Sequence, residues 1–337
     1  MIGEYAPGSE GLMLPIMPFL QKKQVSELLI NAPGEVWVEE AGCMKKHMVP
    51  EITESHLLRL FQLIANENNQ VLSKQQPLLS GQLHDGTRVQ LVLSPTARYP
   101  AMSVRRKVVN KRTLSHYQME GYYQALSACD IHANDYQSLS EGDQQLVSLY
   151  HEGAWHAFIQ FAILSKKNIV ISGGTSSGKT TYLNACLAHI PLCDRIIVLE
   201  DTREIETAHP NQVQLLASKG NQGLAKVNMQ DLVQACLRLR PDRIIMGEIR
   251  GKEIMNFVSA CSTGHEGSIT TIHANNPRVA FMRMTQMYKL NNVPSMTDAD
   301  IFRELNEVID IVIQLSRTPD GRIADSIYYK HANVKPS

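Results

Sequence analysis

The run Asn168-Ile-Val-Ile-Ser-Gly-Gly-Thr-Ser-Ser-Gly-Lys-Thr-Thr181 limits what this chain can fold into more than any other stretch. Residues of β character break into a glycine-rich loop, and helix-forming residues follow at once. Gly173, Gly178, Lys179 and Thr180 satisfy the pattern G-x-x-x-x-G-K-[ST]. In that pattern loop N–H groups wrap phosphate oxygens, the lysine reaches the β and γ oxygens, and the hydroxyl holds Mg²⁺. Side chains at the glycine positions would keep the backbone off the anion, and a helix beginning near Lys179 aims its positive dipole end at the same charge. Gly173, Gly174, Thr175, Ser176, Ser177, Gly178, Lys179, Thr180 and Thr181 are the expected phosphate contacts, and a helix is predicted over Thr181–His189.

Beyond the loop, apolar β runs alternate with helical patterns, the signature of parallel βαβ units with the loop at a strand's carboxyl end. Ile196–Leu199 runs into Glu200-Asp-Thr202, Arg243–Gly247 into Glu248, and Ser268–Ile272 into His273. Three strands thus end in groups suited to metal, water or phosphate chemistry. Glu248 is the candidate general base for an attacking water; pairing with Arg250 or Arg243 is the alternative. A metal-ligating Asp often precedes such a Glu, but Gly247 stands there, which turns attention to Glu200 and Asp201 as carboxylates for Mg²⁺ through water. Their alternative is a helix N-terminal cap with Thr202. His273 reads either as a hydrogen-bond donor to the γ-phosphate or as a structural histidine, and His265 divides the same way. A metal site built from His265, Glu266 and His273 has no familiar spacing.

The first part of the chain has another rhythm. Apolar residues recur at near-helical spacing over Pro15–Leu29, and Ser26–Glu39 reads as strand, turn at Pro33-Gly34, strand. A helix is predicted over His56–Asn66, capped by Thr53 or Ser55, with strands at Arg88–Leu93 and Met102–Arg105. Thr113–Ala133 carries no clear period, and polar Asn134–Gly142 is the candidate linker. An α+β domain over 1–137 followed by an α/β domain over 138–337 accounts for the pattern. Arg88, Arg105 and Arg106 lie on solvated strand faces or, if the first domain covers the loop, bind phosphate oxygens. Arg238, Arg240 and Arg243 are candidates for a subunit interface or a trans-acting arginine.

At 337 residues the chain has room for two cores. Lys+Arg and Asp+Glu number 33 each, so net charge gives no whole-protein attraction to nucleic acid or anionic membrane, and direct sequence-specific nucleic-acid binding is not expected. Six scattered cysteines without a C-x-x-C pair suggest neither a zinc ribbon nor a disulfide framework and fit a reducing cytosol. Met1–Gly11 lacks the pattern of a signal peptide, and the apolar run Ala157–Leu164 is too short to span a bilayer.

Four ordered motifs carry a family resemblance. Gly173–Thr180 resembles the Walker A, Leu199–Glu204 the Asp box, Arg243–Gly251 the atypical Walker B and Thr263–Asn275 the His box of the type IV secretion traffic ATPases, within the superfamily of secretion and pilus ATPases. Asn31–Glu39, Gly86–Gln90 and Ser103–Lys107 look like the VirB-type branch, and the paired-cysteine zinc insert of many type II relatives is missing from this sequence. The resemblance implies an N-terminal α+β domain followed by a RecA-like P-loop NTPase domain with a mainly parallel sheet. It implies ATP and Mg²⁺ as ligands, with Thr180, Glu200 and Asp201 toward the metal. Glu248, Lys179 and His273 would be catalytic, and Arg88 and Arg105 would contact phosphates from the first domain. It further implies a homohexameric ring at the cytoplasmic face of the inner membrane, in peripheral contact with it. The partners would be inner-membrane secretion proteins, a second secretion ATPase and, indirectly, secreted protein or DNA. A pilus retraction or type II assembly ATPase is the alternative within this class, and a nucleotide-gated docking scaffold with little hydrolysis is the alternative outside it.

Overall fold

Alternating apolar residues build the first sheet. In the computed structural model, which describes residues 8–22, 24–40, 43–106, 136–218, 225–318 and 321–335, six antiparallel strands lie in the order β3-β2-β1-β6-β5-β4. They are β1 (Val25–Ile30), β2 (Glu35–Glu40), β3 (Cys43–Met48), β4 (Leu78–Gln82), β5 (Arg88–Val92) and β6 (Ala101–Arg105). The expected hairpin is β1/β2, with Leu28 opposite Val38 and Leu29 opposite Trp37, and Gly34 at φ +81° makes the turn. The helix Glu54–Glu67 takes its cap from Thr53, whose Oγ1 accepts from the His56 amide at 3.2 Å. It buries Leu57, Leu60, Phe61 and Ile64 in one cluster with Leu28, Ile30, Val38, Leu91 and Val104.

Two local readings change. The helical spacing over Pro15–Leu29 is realised among the described residues as one short helix, Met17–Leu20, and another, Glu10–Met13, precedes it. From Val25 onward the chain is a strand, because β1 lies between β2 and β6 and pairing on both sides outweighs local periodicity. Strands β3 and β4 were not anticipated: both are edges, β3 largely exposed and carrying Lys45 and Lys46. The candidate linker is also partly structured, since Tyr136–Ser138 forms a 3₁₀ turn and Ser140 caps the helix Glu141–His151 by accepting from the Asp143 amide. Thr113–Ala133 and positions 134–135 lie outside the described residues.

The second sheet contains β7 (Ile169–Gly173), β8 (Ile196–Glu200), β9 (Gln212–Leu216), β10 (Arg243–Met246), β11 (Ile269–Ile272), β12 (Ile311–Thr318) and β13 (Gly321–Tyr329). Their order is β13-β12-β7-β11-β10-β8-β9, and every pair is parallel except β12/β13. Continuous apolar runs are explained by burial on both faces. Ile197, Leu199, Ile244 and Met246 pack with the helices Met229–Cys236, Glu253–Cys261, Pro277–Lys289 and Asp298–Val308. Ile171, Ile196, Val198 and Ile245 face the helices Glu141–His151, Trp155–Leu164 and Lys179–Leu187. Each such side chain contributes about 1.5–3 kcal/mol of burial. No helix among the described residues is long and apolar enough to cross a membrane.

The two sheets are joined through apolar and polar groups: Val92, Ala97 and Ala101 share a buried cluster with Leu199 and Leu215, and the Leu216 amide donates to the Thr96 carbonyl at 2.7 Å. Arg195 is fully buried; its Nε donates to the Leu239 carbonyl at 2.8 Å and its Nη1 to Asn31 Oδ1 at 2.8 Å and to Asn211 Oδ1. Arg240 pairs with Glu39 and, at 2.9 Å, with Asp242.

Candidate active site

The phosphate loop leaves the carboxyl end of β7 as its pattern demands. A Cβ on Gly173 would strike Ser177 Oγ and stand 2.8 Å from the Leu315 carbonyl oxygen. Gly178 sits at φ +91° and serves as N-cap for the helix Lys179–Leu187, which starts at Lys179 as expected and ends two residues before His189. Lys179 is buried and folds back over the loop, its ammonium donating to the carbonyls of Gly173 and Gly174, each at 3.0 Å, with His273 Nδ1 at 3.2 Å. An ammonium has three hydrogens, so this set saturates it.

Strand order aligns the remaining groups. Moving away from β7, the carboxyl ends of β11, β10 and β8 supply His273, Glu248 and the Glu200/Asp201 pair, in steps of about 4.8 Å per strand. With Nδ1 accepting from Lys179, the His273 ring carries its hydrogen on Nε2, which donates to Glu248 Oε1 at 3.2 Å. Burial holds the His273 pKa below its ordinary value, with Glu248 opposing and Lys179 assisting. Burial likewise lowers the Lys179 pKa, against the Glu248 charge. Glu248 Oε2 accepts from Arg250 Nη2 at 2.9 Å, and Arg250 Nη1 also binds Asp201 Oδ2. The partner of Glu248 is thus Arg250; Arg243 is buried elsewhere on Asp194 Oδ2 and the Ile163 carbonyl, both at 2.7 Å.

Glu200 is buried. Its Oε1 accepts the amides of Glu204 (2.8 Å) and Ile205 (2.7 Å), while Oε2 has no hydrogen-bond partner among the described residues. Burial raises this carboxyl's pKa, and the two amides offset part of that rise. No helix begins here, so Glu200 and Asp201 do not cap one with Thr202. Thr180 Oγ1 donates to Glu204 Oε2 at 3.2 Å. The hydroxyl of Thr180, the Glu204 carboxylate and the unpartnered Glu200 oxygen are hard donors lining one cleft, a set that fits Mg²⁺ held by few protein ligands and several waters. Asp201 is committed to Arg250. Among the described residues no group of three or more His, Cys, Asp or Glu is arranged to hold a metal ion by itself.

The cleft measures about 490 Å³ and is lined by the loop, Glu200, Asp201, Glu204, Glu248, Arg250, His273 and Arg322. The expected first-domain arginines are not in it. Arg88 and Arg105 line a second cleft with Arg238 and Arg240, where Arg105 Nε lies 3.5 Å from Glu27 Oε1. Arg106 donates to the Lys22 carbonyl at 2.8 Å, and His265 Nδ1 lies 3.1 Å from the Pro241 carbonyl oxygen, outside the loop cleft. Sequence reading missed Glu204 and Arg322. Glu204 had a signal, four residues beyond Glu200 in the same acidic stretch; Arg322 had none, since only the β12/β13 hairpin brings it to the loop.

A phosphate loop at the carboxyl edge of a parallel sheet, with a carboxylate and a histidine on adjacent strand ends, defines a RecA-like P-loop nucleotide-binding protein. The family model described as Type II/IV secretion system protein matches residues 12–327. The chain is 33% identical over 326 residues to the Type IV secretion system protein VirB11 of Bartonella quintana (strain Toulouse), covering 94% of this chain and 91% of that one. It is 32% identical over 324 residues to the protein of the same name from Brucella suis biovar 1 (strain 1330), covering 94% and 88%. Its structure superposes on the crystal structure of the VirB11 ATPase from the Brucella suis type IV secretion system in complex with sulphate, with a TM-score of 0.89, 29% identity, and coverage of 96% and 98%. The chain belongs to the type II/IV secretion system protein family, in its type IV secretion traffic ATPase branch.

Proposed function

We propose that this protein is a Mg²⁺-dependent ATP hydrolase that works as a homohexameric ring, converting γ-phosphate hydrolysis into motion of a domain over 1–137 against one over 138–337. The carrying observation is the continuous chain Lys179–His273–Glu248–Arg250 across the loop cleft. A bound triphosphate would draw Lys179 from His273 Nδ1 onto the β and γ oxygens, since the ammonium has no hydrogen to spare. Released, His273 is free to turn to the γ-phosphate, and Glu248 accepts the proton of the attacking water. Thr180, with Glu204 and Glu200 through water, would hold Mg²⁺, whose charge supports the developing negative charge on the phosphate oxygens. Asp201 keeps Arg250 beside Glu248. Arg88 and Arg105 line a different cleft here, so they would reach phosphates by motion of the first domain over the loop or from a neighbouring subunit of the ring. The relatives named as type IV secretion proteins support a role powering substrate translocation or pilus biogenesis. The location would be the cytoplasmic face of the inner membrane, beside membrane components and a second secretion ATPase.

The test is phosphate release from Mg²⁺-ATP across a wide range of protein concentration, with Lys179→Ala and Glu248→Gln beside the wild type. Specific activity should climb as the protein assembles and vanish in Lys179→Ala. Tight ATP binding with negligible turnover at every concentration would favour the nucleotide-gated scaffold instead.

A further inference from the structure

Arg322 enters the loop cleft from the side opposite the reacting groups. His273, Glu248 and Glu200 stand on β11, β10 and β8, to one side of β7; β12 and β13 lie to the other. Because β13 runs antiparallel to β12 and pairs Arg322 with Arg317, its first residues sit at the carboxyl edge of the sheet, level with the loop. The Arg322 side chain crosses Gly178: its Cδ is 3.0 Å from where a Cβ would stand, and its Nε donates to the Ser176 carbonyl at 3.1 Å. Ser176 itself is held at φ +61°. The guanidinium is thereby fixed by one nitrogen, while Nη1 and Nη2 have no partner among the described residues in a cleft built to take phosphate.

A triphosphate is linear, and the loop encloses its β-phosphate. With the γ-phosphate directed toward Lys179, His273 and Glu248, the α-phosphate must leave toward β12 and β13. We propose that Arg322 is a nucleotide-binding residue that grips the α-phosphate side of bound ADP or ATP through its Nη groups, with the Ser176 carbonyl orienting the fork. This rests on the loop cleft being the ATP site. Contacts made equally to ATP and ADP are uniform binding, so Arg322 sets affinity and leaves the chemical step alone.

The experiment measures ADP and ATP affinity, kcat and nucleotide-free melting temperature for Arg322→Ala, Arg322→Gln and Arg322→Lys, with Lys179→Ala in parallel. Arg322→Ala should weaken ADP and ATP by the same factor, about 10- to 100-fold for a charge-assisted contact, with kcat within about twofold of wild type. Lysine should recover part of the affinity through its charge. Glutamine keeps a donor for the Ser176 carbonyl but no charge, and should recover little. Full recovery by glutamine, or lost affinity together with a lower nucleotide-free melting temperature, would make Arg322 a prop for the loop and overturn the proposal. Loss confined to ATP would place it at the γ-phosphate and overturn it as well. Wild-type ADP affinity in Arg322→Ala, with binding abolished in Lys179→Ala, rejects the proposal and leaves the site assignment standing; unchanged binding in both variants rejects the assignment itself.

Discussion

Replacing Asn31 by alanine should weaken the polar part of the joint between the two sheets, and the structure gives the size of the effect. Asn31 Oδ1 accepts from Nη1 of the fully buried Arg195 at 2.8 Å, and Asn31 Nδ2 donates to Asn211 Oδ1 at 3.0 Å. Arg195 Nη2 has no partner among the described residues, so the guanidinium has no spare acceptor there to turn to. A hydrogen bond to a charged group is worth about 1.5–3 kcal/mol and a neutral one about 1 kcal/mol. Water admitted to the gap left by the amide returns part of this, so the expected loss is about 2–3 kcal/mol. At about 2–4 °C per kcal/mol for a unit of this size, the melting temperature should fall by about 4–12 °C. The chain has two tryptophans, Trp37 buried in β2 and Trp155 half-exposed at the start of the helix Trp155–Leu164, so urea unfolding followed by fluorescence reports on both halves. The Trp37 and Trp155 transitions should separate in Asn31→Ala, and Asn31→Asp, which keeps an acceptor for Arg195, should restore most of the loss. A midpoint within about 0.5 kcal/mol of wild type in Asn31→Ala, the range of an ordinary surface substitution, would refute the reasoning.

Other outcomes follow from the cleft. Glu248→Gln should still bind ATP but hydrolyse it about 10²–10⁴-fold more slowly; weakened binding at normal turnover would contradict a general base there. Burial, Lys179 and Arg250 hold His273 below its ordinary 6.5. The native state therefore favours the neutral ring, the unfolded chain takes up the proton first, and the Lys179 contact and its share of stability are lost as pH falls from 6.5 toward the depressed native value. The acid limb of kcat/KM should lie below that ordinary value and vanish in His273→Gln; an identical limb in the variant would assign it to another group. Gly178→Ala forces a side chain to φ +91° against Arg322 Cδ, costing about 1–2 kcal/mol and lowering nucleotide affinity, which calorimetric titration with ADP would read. Arg105 is exposed, so Arg105→Ala should slow hydrolysis without moving the melting temperature; an unfolded variant would give it a structural role instead.

The loop and the strand ends after it were legible because their constraints are local. Glycine alone meets the φ at Gly178 without strain and fits the crowding at Gly173, and a strand buried on both faces must be apolar until it reaches the edge, where Glu248 and His273 appear. Helix caps were legible for the same reason, as Thr53 demonstrates. Edge strands β3 and β4 were not, because an edge pairs on one side and needs little apolar pattern, and the helical spacing of Pro15–Leu29 gave way to pairing with two neighbouring strands. The order of the second sheet was equally out of reach. It decides that His273 stands between Lys179 and Glu248, while the docking of the first sheet on the second puts Arg88 and Arg105 in a different cleft. Residue types and short spacings determined which chemistry this chain carries; tertiary packing decided which groups share a cleft, because contacts between residues such as Ser176 and Arg322, 146 positions apart, depend on the folding of everything between them.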